Sequence, residues 1–233
     1  MRRTGSTVTI EAMKNWLIPT GLIGLGLVPV IAGGLRLNEL AGGAAVIPDG
    51  ARVSTAPVPL VLHIVGVTVF SMLGAFQFAP RLRRRHPRRH RIAGRVLVPA
   101  GLVAAGSGVW LSFSSAAIQG GLLAVIRLVV AVAMSASLVL GFAAVRRRDF
   151  PRHRAWMIRG YAIGMGAGTQ AFTQTAWLLA VGPMTPAGRI GTMTAGWLIN
   201  VLVAEWIIRR AAGKARPAPR RYAGRPVLNS RVS

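Results

Sequence analysis

The chain has 233 residues, of which 52% are hydrophobic and 15% are charged, whereas soluble domains carry about 25% charged residues. Its formal net charge is +24, because 29 lysines and arginines face only 5 acidic residues, and it contains no cysteine. This composition indicates an integral membrane protein. The missing cysteines exclude disulfides, thiolate metal sites and thiol nucleophiles.

Apolar blocks recur along the chain at about twenty residues each, the length that crosses a ~30 Å hydrocarbon core as a helix. The pattern predicts an all-α integral membrane protein with six transmembrane helices. The predicted spans are about Trp16–Leu35, Pro57–Ala79, Val96–Ala117, Leu122–Val145, Trp156–Val181 and Thr192–Ile208. The first is longer than the apolar core of a signal peptide, which has about 7–15 residues, so we interpret it as an uncleaved helix.

Cations are distributed unevenly between the two sides of this arrangement. Residues 1–15 form a basic N-terminus, residues 16–208 the transmembrane domain, and residues 209–233 a basic tail without apolar periodicity, which we expect to be disordered. Both termini and the two arginine-rich loops share one side, while the opposite loops hold only Arg36, Arg52 and Arg189. Since lysine and arginine accumulate on the cytoplasmic side, both termini are predicted to be cytoplasmic.

The first arginine-rich loop, Arg81–Arg95, holds eight arginines and two histidines. A related pattern of arginines, a proline and a His-Arg pair recurs at Arg146–Arg159, about 63 residues later. The recurrence predicts a parallel internal repeat in which helices 2–3 match helices 4–5, one known way to build a membrane bundle. The simpler alternative is that the two loops resemble each other only because both are rich in arginine.

Polar residues inside the spans fall on two helix faces. His63 and Gln77 share a face of the second span, and Arg159, Gln170 and Thr173 share one of the fifth. Ionisable and amide groups in hydrocarbon normally face the bundle interior. Both stripes are therefore predicted to line an internal seam or pocket, or else to form an interhelical hydrogen-bond network without a ligand.

Two further ionisable groups lie within the spans. We expect Glu205, an acid near the cytoplasmic end of the sixth span, to pair with Arg159; the alternatives are Arg209, one turn away on the same helix, or a protonated Glu205. Arg127 in the fourth span lies at a depth similar to that of His63 in the second.

Glycines at four-residue spacing, Gly160, Gly164 and Gly168, lie in the fifth span. Small residues at this spacing allow another helix to approach closely. They indicate close packing, either within the chain or in a homodimer.

His90 and His153 occupy equivalent positions in the two basic loops. Neutral imidazoles at matched depth on neighbouring helices suit axial ligation of a haem. Together with Arg91, Arg95 and Arg154, they also suit contact with anionic lipid phosphates. The plainest interpretation is that each histidine belongs to an interfacial basic cluster.

The motifs H-R-I-A-G-R at His90–Arg95 and H-R-A-W-M-I-R at His153–Arg159 carry a family resemblance. From about His63 to Gln174, the chain resembles bacterial membrane proteins grouped as a predicted-membrane domain of unknown function. The resemblance implies a polytopic protein of the bacterial cytoplasmic membrane without an assigned activity.

The chain is more loosely similar to six-helix transmembrane b-type cytochromes, which bind two haems through two histidine pairs. That similarity implies haem b between His90 and His153, with His63 as half of an outer pair. The position expected for the partner of His63 lies near Arg127, and no histidine is there.

Three functions remain open from the sequence. The chain is a membrane protein whose basic loops contact anionic lipid, a haem b electron carrier using His90 and His153, or a small-solute transporter with a polar path through His63, Gln77 and Gln170. An enzyme is disfavoured because the chain has no carboxylate pair, G-x-S-x-G elbow or P-loop. Nucleic-acid binding is disfavoured because the arginine loops are short and lack an aromatic stacking platform.

Overall fold

The computed structural model describes residues 5–46, 56–114 and 121–214. These residues form eight helices and no strand. In chain order the helices are α1 (Gly5–Leu40), α2 (Pro57–Gln77), α3 (Pro80–Arg85), α4 (Pro87–Ser114), α5 (Gly121–Arg146), α6 (Phe150–Gly164), α7 (Gly166–Ala180) and α8 (Pro186–Lys214).

Five of these helices are long and apolar enough to cross a membrane, namely α1, α2, α4, α5 and α8. The all-helical membrane architecture expected from the sequence is therefore confirmed. The predicted fifth span is different, because Trp156–Val181 is divided at Met165 between α6 and α7, each of 15 residues. The expectation of one uninterrupted helix there was wrong.

Several helix boundaries differ from the predicted ones. α1 begins at Gly5, within the predicted N-terminal segment, and α8 continues to Lys214, within the predicted tail. Most of the first arginine-rich loop is helical, because it forms α3 and the first turns of α4. The rest of the predicted tail, together with residues 47–55 and 115–120, lies outside the described residues.

Proline marks the start of most helices. It is the first residue of α2, α3, α4 and α8 and the second of α6. At these positions its fixed φ suits a helix, and the N–H that it lacks would have no acceptor within the helix. At α6 the Asp149 carboxylate also accepts a hydrogen bond from the Arg152 N–H at 3.1 Å. Arg148, just before this cap, has a φ of 61°, which closes the turn after α5.

The bundle packs as neighbouring pairs, with α2 along α4, α5 along α6, and α7 along α8. Phe70, Leu138 and Tyr161 lie at its buried centre. The Tyr161 hydroxyl donates a hydrogen bond to the Ser71 carbonyl oxygen at 2.8 Å, which joins α6 to α2. A Cβ at Gly74 would lie 2.2 Å from the Tyr161 ring, so this position requires glycine.

The glycine face of α6 and α7 is covered by helices of the same chain. Gly160 contacts Leu138, Gly164 contacts Phe70, and a Cβ at Gly168 would lie 2.2 Å from the Leu25 carbonyl oxygen. The spacing therefore reports close packing within the chain, and these glycines do not form a free surface for a homodimer. Outward-facing side chains are instead large and apolar, as at Leu179, which is 82% exposed.

Candidate functional site

The two arginine-rich turns lie at one end of the bundle, where α3 and α4 approach the turn between α5 and α6. His153, on the first turn of α6, has its Nδ1 2.8 Å from the Gly141 carbonyl oxygen. Because a carbonyl only accepts, this Nδ1 carries the proton. The Nδ1 of His90 is buried and has no hydrogen-bond partner among the described residues, and its electrostatic neighbours are Arg83 and His153. The two histidines that the sequence placed in equivalent positions are thus electrostatic neighbours at this end of the bundle.

Exposed arginines surround these histidines. In the two arginine-rich turns, the exposed arginines are Arg83, Arg84, Arg85, Arg88, Arg89, Arg91, Arg95, Arg146, Arg147, Arg148, Arg152 and Arg154. Only Arg152 pairs with a carboxylate, that of Asp149 at 3.5 Å, and the pair is solvent-exposed. This end of the bundle consequently carries a large positive charge that carboxylates of the described residues do not neutralise.

His63 and Arg127 contact different helices. The Nδ1 of His63 donates to the Ala104 carbonyl oxygen at 2.9 Å and lies 3.4 Å from the Ser107 hydroxyl, so this ring packs against α4. The Nη2 of Arg127 approaches the Met193 sulfur at 3.6 Å, so this arginine reaches α8. These contacts do not join the two residues into a single site.

Gln170 and Thr173 connect α7 to α8. The Gln170 amide donates to the Met193 carbonyl oxygen at 3.0 Å, and the Thr173 hydroxyl donates to the Thr192 carbonyl oxygen at 2.8 Å. Gln77, on α2, has a buried amide nitrogen without a hydrogen-bond partner in the described part of the chain. Gln170 and Thr173 of the polar stripe in the predicted fifth span are thus used for interhelical hydrogen bonds.

Asn200 bridges the break at Met165. Its Nδ2 donates to the Ala162 carbonyl oxygen on α6 at 3.0 Å, and its Oδ1 accepts from the Thr169 hydroxyl on α7 at 2.7 Å. A helix break leaves backbone groups without their usual partners, and in a membrane these must be satisfied within the protein. Asn200 lies within the predicted sixth span, Thr192–Ile208. The sequence gave no signal for its role, because the break at Met165 has no proline.

The ion pair expected from the sequence is present. Arg159 binds Glu205 through two hydrogen bonds, Nε to Oε1 at 2.5 Å and Nη2 to Oε2 at 3.0 Å. The Arg159 guanidinium also stacks over the Trp156 ring, 4.8 Å from its centroid. Two parallel bonds fix the geometry of the pair and satisfy both carboxylate oxygens.

A cavity of about 270 Å³ lies beside this ion pair, between α5, α6 and α8. Its walls are small and apolar residues such as Ala133, Ala136 and Val201, and the ion pair with Trp156 closes one part of it. Of the polar stripe predicted to line a pocket, Arg159 borders this cavity. Its apolar walls were not predicted, because they depend on how helices that are distant in the chain meet.

Residues 60–208 match the model of a family described as predicted membrane protein (DUF2306). The chain belongs to the DUF2306 family. The family is one of unknown function, so membership supports the membrane architecture without naming an activity. No curated protein and no solved structure matches the chain. The DUF2306 region includes both histidine turns, the Asn200 bridge and the Arg159–Glu205 pair, while Arg209 follows directly after it.

In this DUF2306 protein, the two-haem pattern of the b-type cytochromes would require a histidine pair at each end of the bundle. His153 holds its Nδ1 proton on a carbonyl, which leaves Nε2 unprotonated, the arrangement common in metal-bound imidazoles, and His90 lies nearby. At the other end, His63 binds α4 and Arg127 offers no ligand nitrogen. The two-haem pattern of the b-type cytochromes is therefore not reproduced. Among the described residues, no group of three or more histidine, cysteine or acidic side chains could hold a metal ion.

Proposed function

We propose that the chain is a six-span protein of the bacterial cytoplasmic membrane whose two arginine-rich turns bind anionic lipid headgroups at the cytoplasmic face. In this arrangement α6 and α7 together form the fifth crossing, and both termini are cytoplasmic. The proposal combines the cation asymmetry of the loops with the helical architecture and the family match.

The observation that carries the proposal is the missing counter-charge at the arginine-rich end. The chain has only five acidic residues, and three of them already pair with Arg36, Arg152 and Arg159. The exposed arginines of α3, α4 and the α5–α6 turn therefore need anions from outside the chain. Lipid phosphates are at the right depth, and each cation near an anionic surface contributes about 1 kcal/mol.

Competition between phosphatidylglycerol and phosphatidylcholine with identical acyl chains tests this proposal. Native mass spectrometry of the detergent-purified protein would count each lipid retained by the wild type, Arg88→Gln and Arg147→Gln. We expect each substitution to weaken the preference for phosphatidylglycerol about fivefold, the equivalent of about 1 kcal/mol. Arg189→Gln, at the opposite end of the bundle, is the matched control and should leave the preference unchanged. Equal retention of the two lipids by the wild type would contradict the proposal.

A second candidate function is one-electron transfer through a haem b between His90 and His153. It is favoured by the electrostatic interaction between the two imidazoles and by the His153 Nδ1 proton held on the Gly141 carbonyl, which leaves Nε2 unprotonated. A haem held there would supply the redox chemistry, while the chain would supply the two axial nitrogens and the surrounding cations.

The absorption spectrum of protein purified from haem-replete cells tests this second candidate. A Soret band that is lost in both His90→Ala and His153→Ala, but kept in His86→Ala, would support it. Colourless wild-type protein would exclude it. Small-solute transport receives no comparable support, because Gln170 of the predicted path is engaged in packing between α7 and α8.

A further inference from the structure

The cavity between α5, α6 and α8 combines an apolar body with a charged end. Ala133, Ala136 and Leu140 of α5 form one wall, and Ala204 of α8 lies opposite. At about 270 Å³, its volume is near the lower end of small-molecule pockets, which measure roughly 300–1,000 Å³. Such a space suits part of a single hydrocarbon chain.

The ion pair in the wall of the cavity is incompletely covered by protein. The side chains of Arg159 and Glu205 are 29% and 28% exposed. In a bilayer this exposed part would face lipid, where a charged group without polar partners is costly. A polar group of a ligand at this position would remove that cost.

Charge at this end of the cavity favours an anion. Both oxygens of Glu205 are bound by Arg159, whereas the Nη1 of Arg159 makes no hydrogen bond to any residue that the structure describes. Arg209, exposed one turn after Glu205 on α8, lies within electrostatic range of this carboxylate. The two arginines and the one glutamate therefore give this end of the cavity a net positive charge.

We propose that this cavity holds one anionic phospholipid, with an acyl chain against the alanines of α5 and α8 and its phosphate between Arg159 and Arg209. Trp156 lies beneath the guanidinium, at the level where aromatic side chains favour the membrane interface. This site is separate from the histidine turns. Both sites would bind anionic lipid, but neither depends on the other. The arginine-rich turns could bind lipid while the cavity does not, and the cavity could bind lipid while the turns do not.

Filling the cavity tests the site directly. Ala136→Trp places an indole in the apolar wall. Val132→Trp adds the same side chain one turn earlier on the same helix, at an exposed position that does not line the cavity. Native mass spectrometry after extensive detergent washing would use dioleoyl phosphatidylglycerol as the probe. We expect the wild type and Val132→Trp to keep one tightly held lipid, and Ala136→Trp to bind it at least about tenfold more weakly.

Arg209→Gln provides a second variant that leaves the helix packing intact, and it should weaken retention about fivefold. Arg88→Gln should leave the tightly held lipid in place, which separates failure of this site from failure of the loop proposal. Unchanged retention in both Ala136→Trp and Arg209→Gln would overturn the site. Equal retention of dioleoyl phosphatidylcholine would overturn the anionic headgroup, and thermal stabilisation by inorganic phosphate alone would show that no acyl chain is needed.

Discussion

The two arginine-rich turns have related sequences and different contacts. In the second turn, His153 binds the Gly141 carbonyl, Asp149 caps α6, and Arg159 pairs with Glu205. In the first, the Nδ1 of His90 has no partner among the described residues and Arg95 is exposed. A shared motif therefore produces a tightly bonded turn at one place and a more open one at the other.

The spacing between histidine and arginine explains part of this difference. Arg95 is five positions after His90, and Arg159 is six positions after His153. One residue rotates a side chain by about 100° around a helix. The extra residue in the second turn thus directs Arg159 to a different face of its helix, where it meets Glu205 of α8.

The helices that follow the two turns also differ. α4 continues through Pro99, although proline removes a backbone hydrogen bond. The helix after the second turn stops at Met165, between two glycines and with no proline nearby. Gly166 packs directly on Trp197, and Asn200 satisfies the freed Ala162 carbonyl. The position of the break therefore depends on contacts with α8 more than on local propensity.

Removal of Glu205 should produce the largest difference in stability between substitutions in the two turns. Glu205→Leu leaves Arg159 charged without its partner, which costs about 2–3 kcal/mol, below the range for fully buried pairs because both side chains are partly exposed. Thermal unfolding in detergent would measure the loss. Arg95→Leu, the counterpart in the first turn, should have little effect, and Arg159→Met combined with Glu205→Met should recover most of the stability. Equal effects of Glu205→Leu and Arg95→Leu would show that the two turns are equivalent after all.

Substitution of Asn200 should have the next largest effect. Asn200→Ala leaves the Ala162 carbonyl and the Thr169 hydroxyl without their partner, at a cost of about 1–3 kcal/mol. Hydrogen exchange should increase around Met165 and remain unchanged around Pro99. Thr175→Ala is the control, because this exposed hydroxyl bonds only to the Ala171 carbonyl of its own helix. No change in exchange at the break would refute the bridging role of Asn200.

The smallest of the three effects should be the difference in stability between the two histidine variants, His153→Ala and His90→Ala. His153→Ala removes a hydrogen bond to the Gly141 carbonyl and should destabilise the protein by about 1 kcal/mol, whereas His90→Ala should be close to neutral. Denaturant unfolding of haem-free protein in micelles would measure both. A larger effect at His90 would show that its ring has a partner beyond the described residues.

The sequence by itself determined the membrane architecture, because blocks of about twenty apolar residues leave few alternatives to helices in a bilayer. It also predicted the Arg159–Glu205 pair, since both residues lie near the ends of their predicted spans that adjoin arginine-rich segments. It did not predict the break at Met165, the bridge from Asn200 or the cavity beside Trp156. These features depend on contacts between helices far apart in the chain, and the distance and rotation of packed helices are not encoded in the periodicity of any one of them.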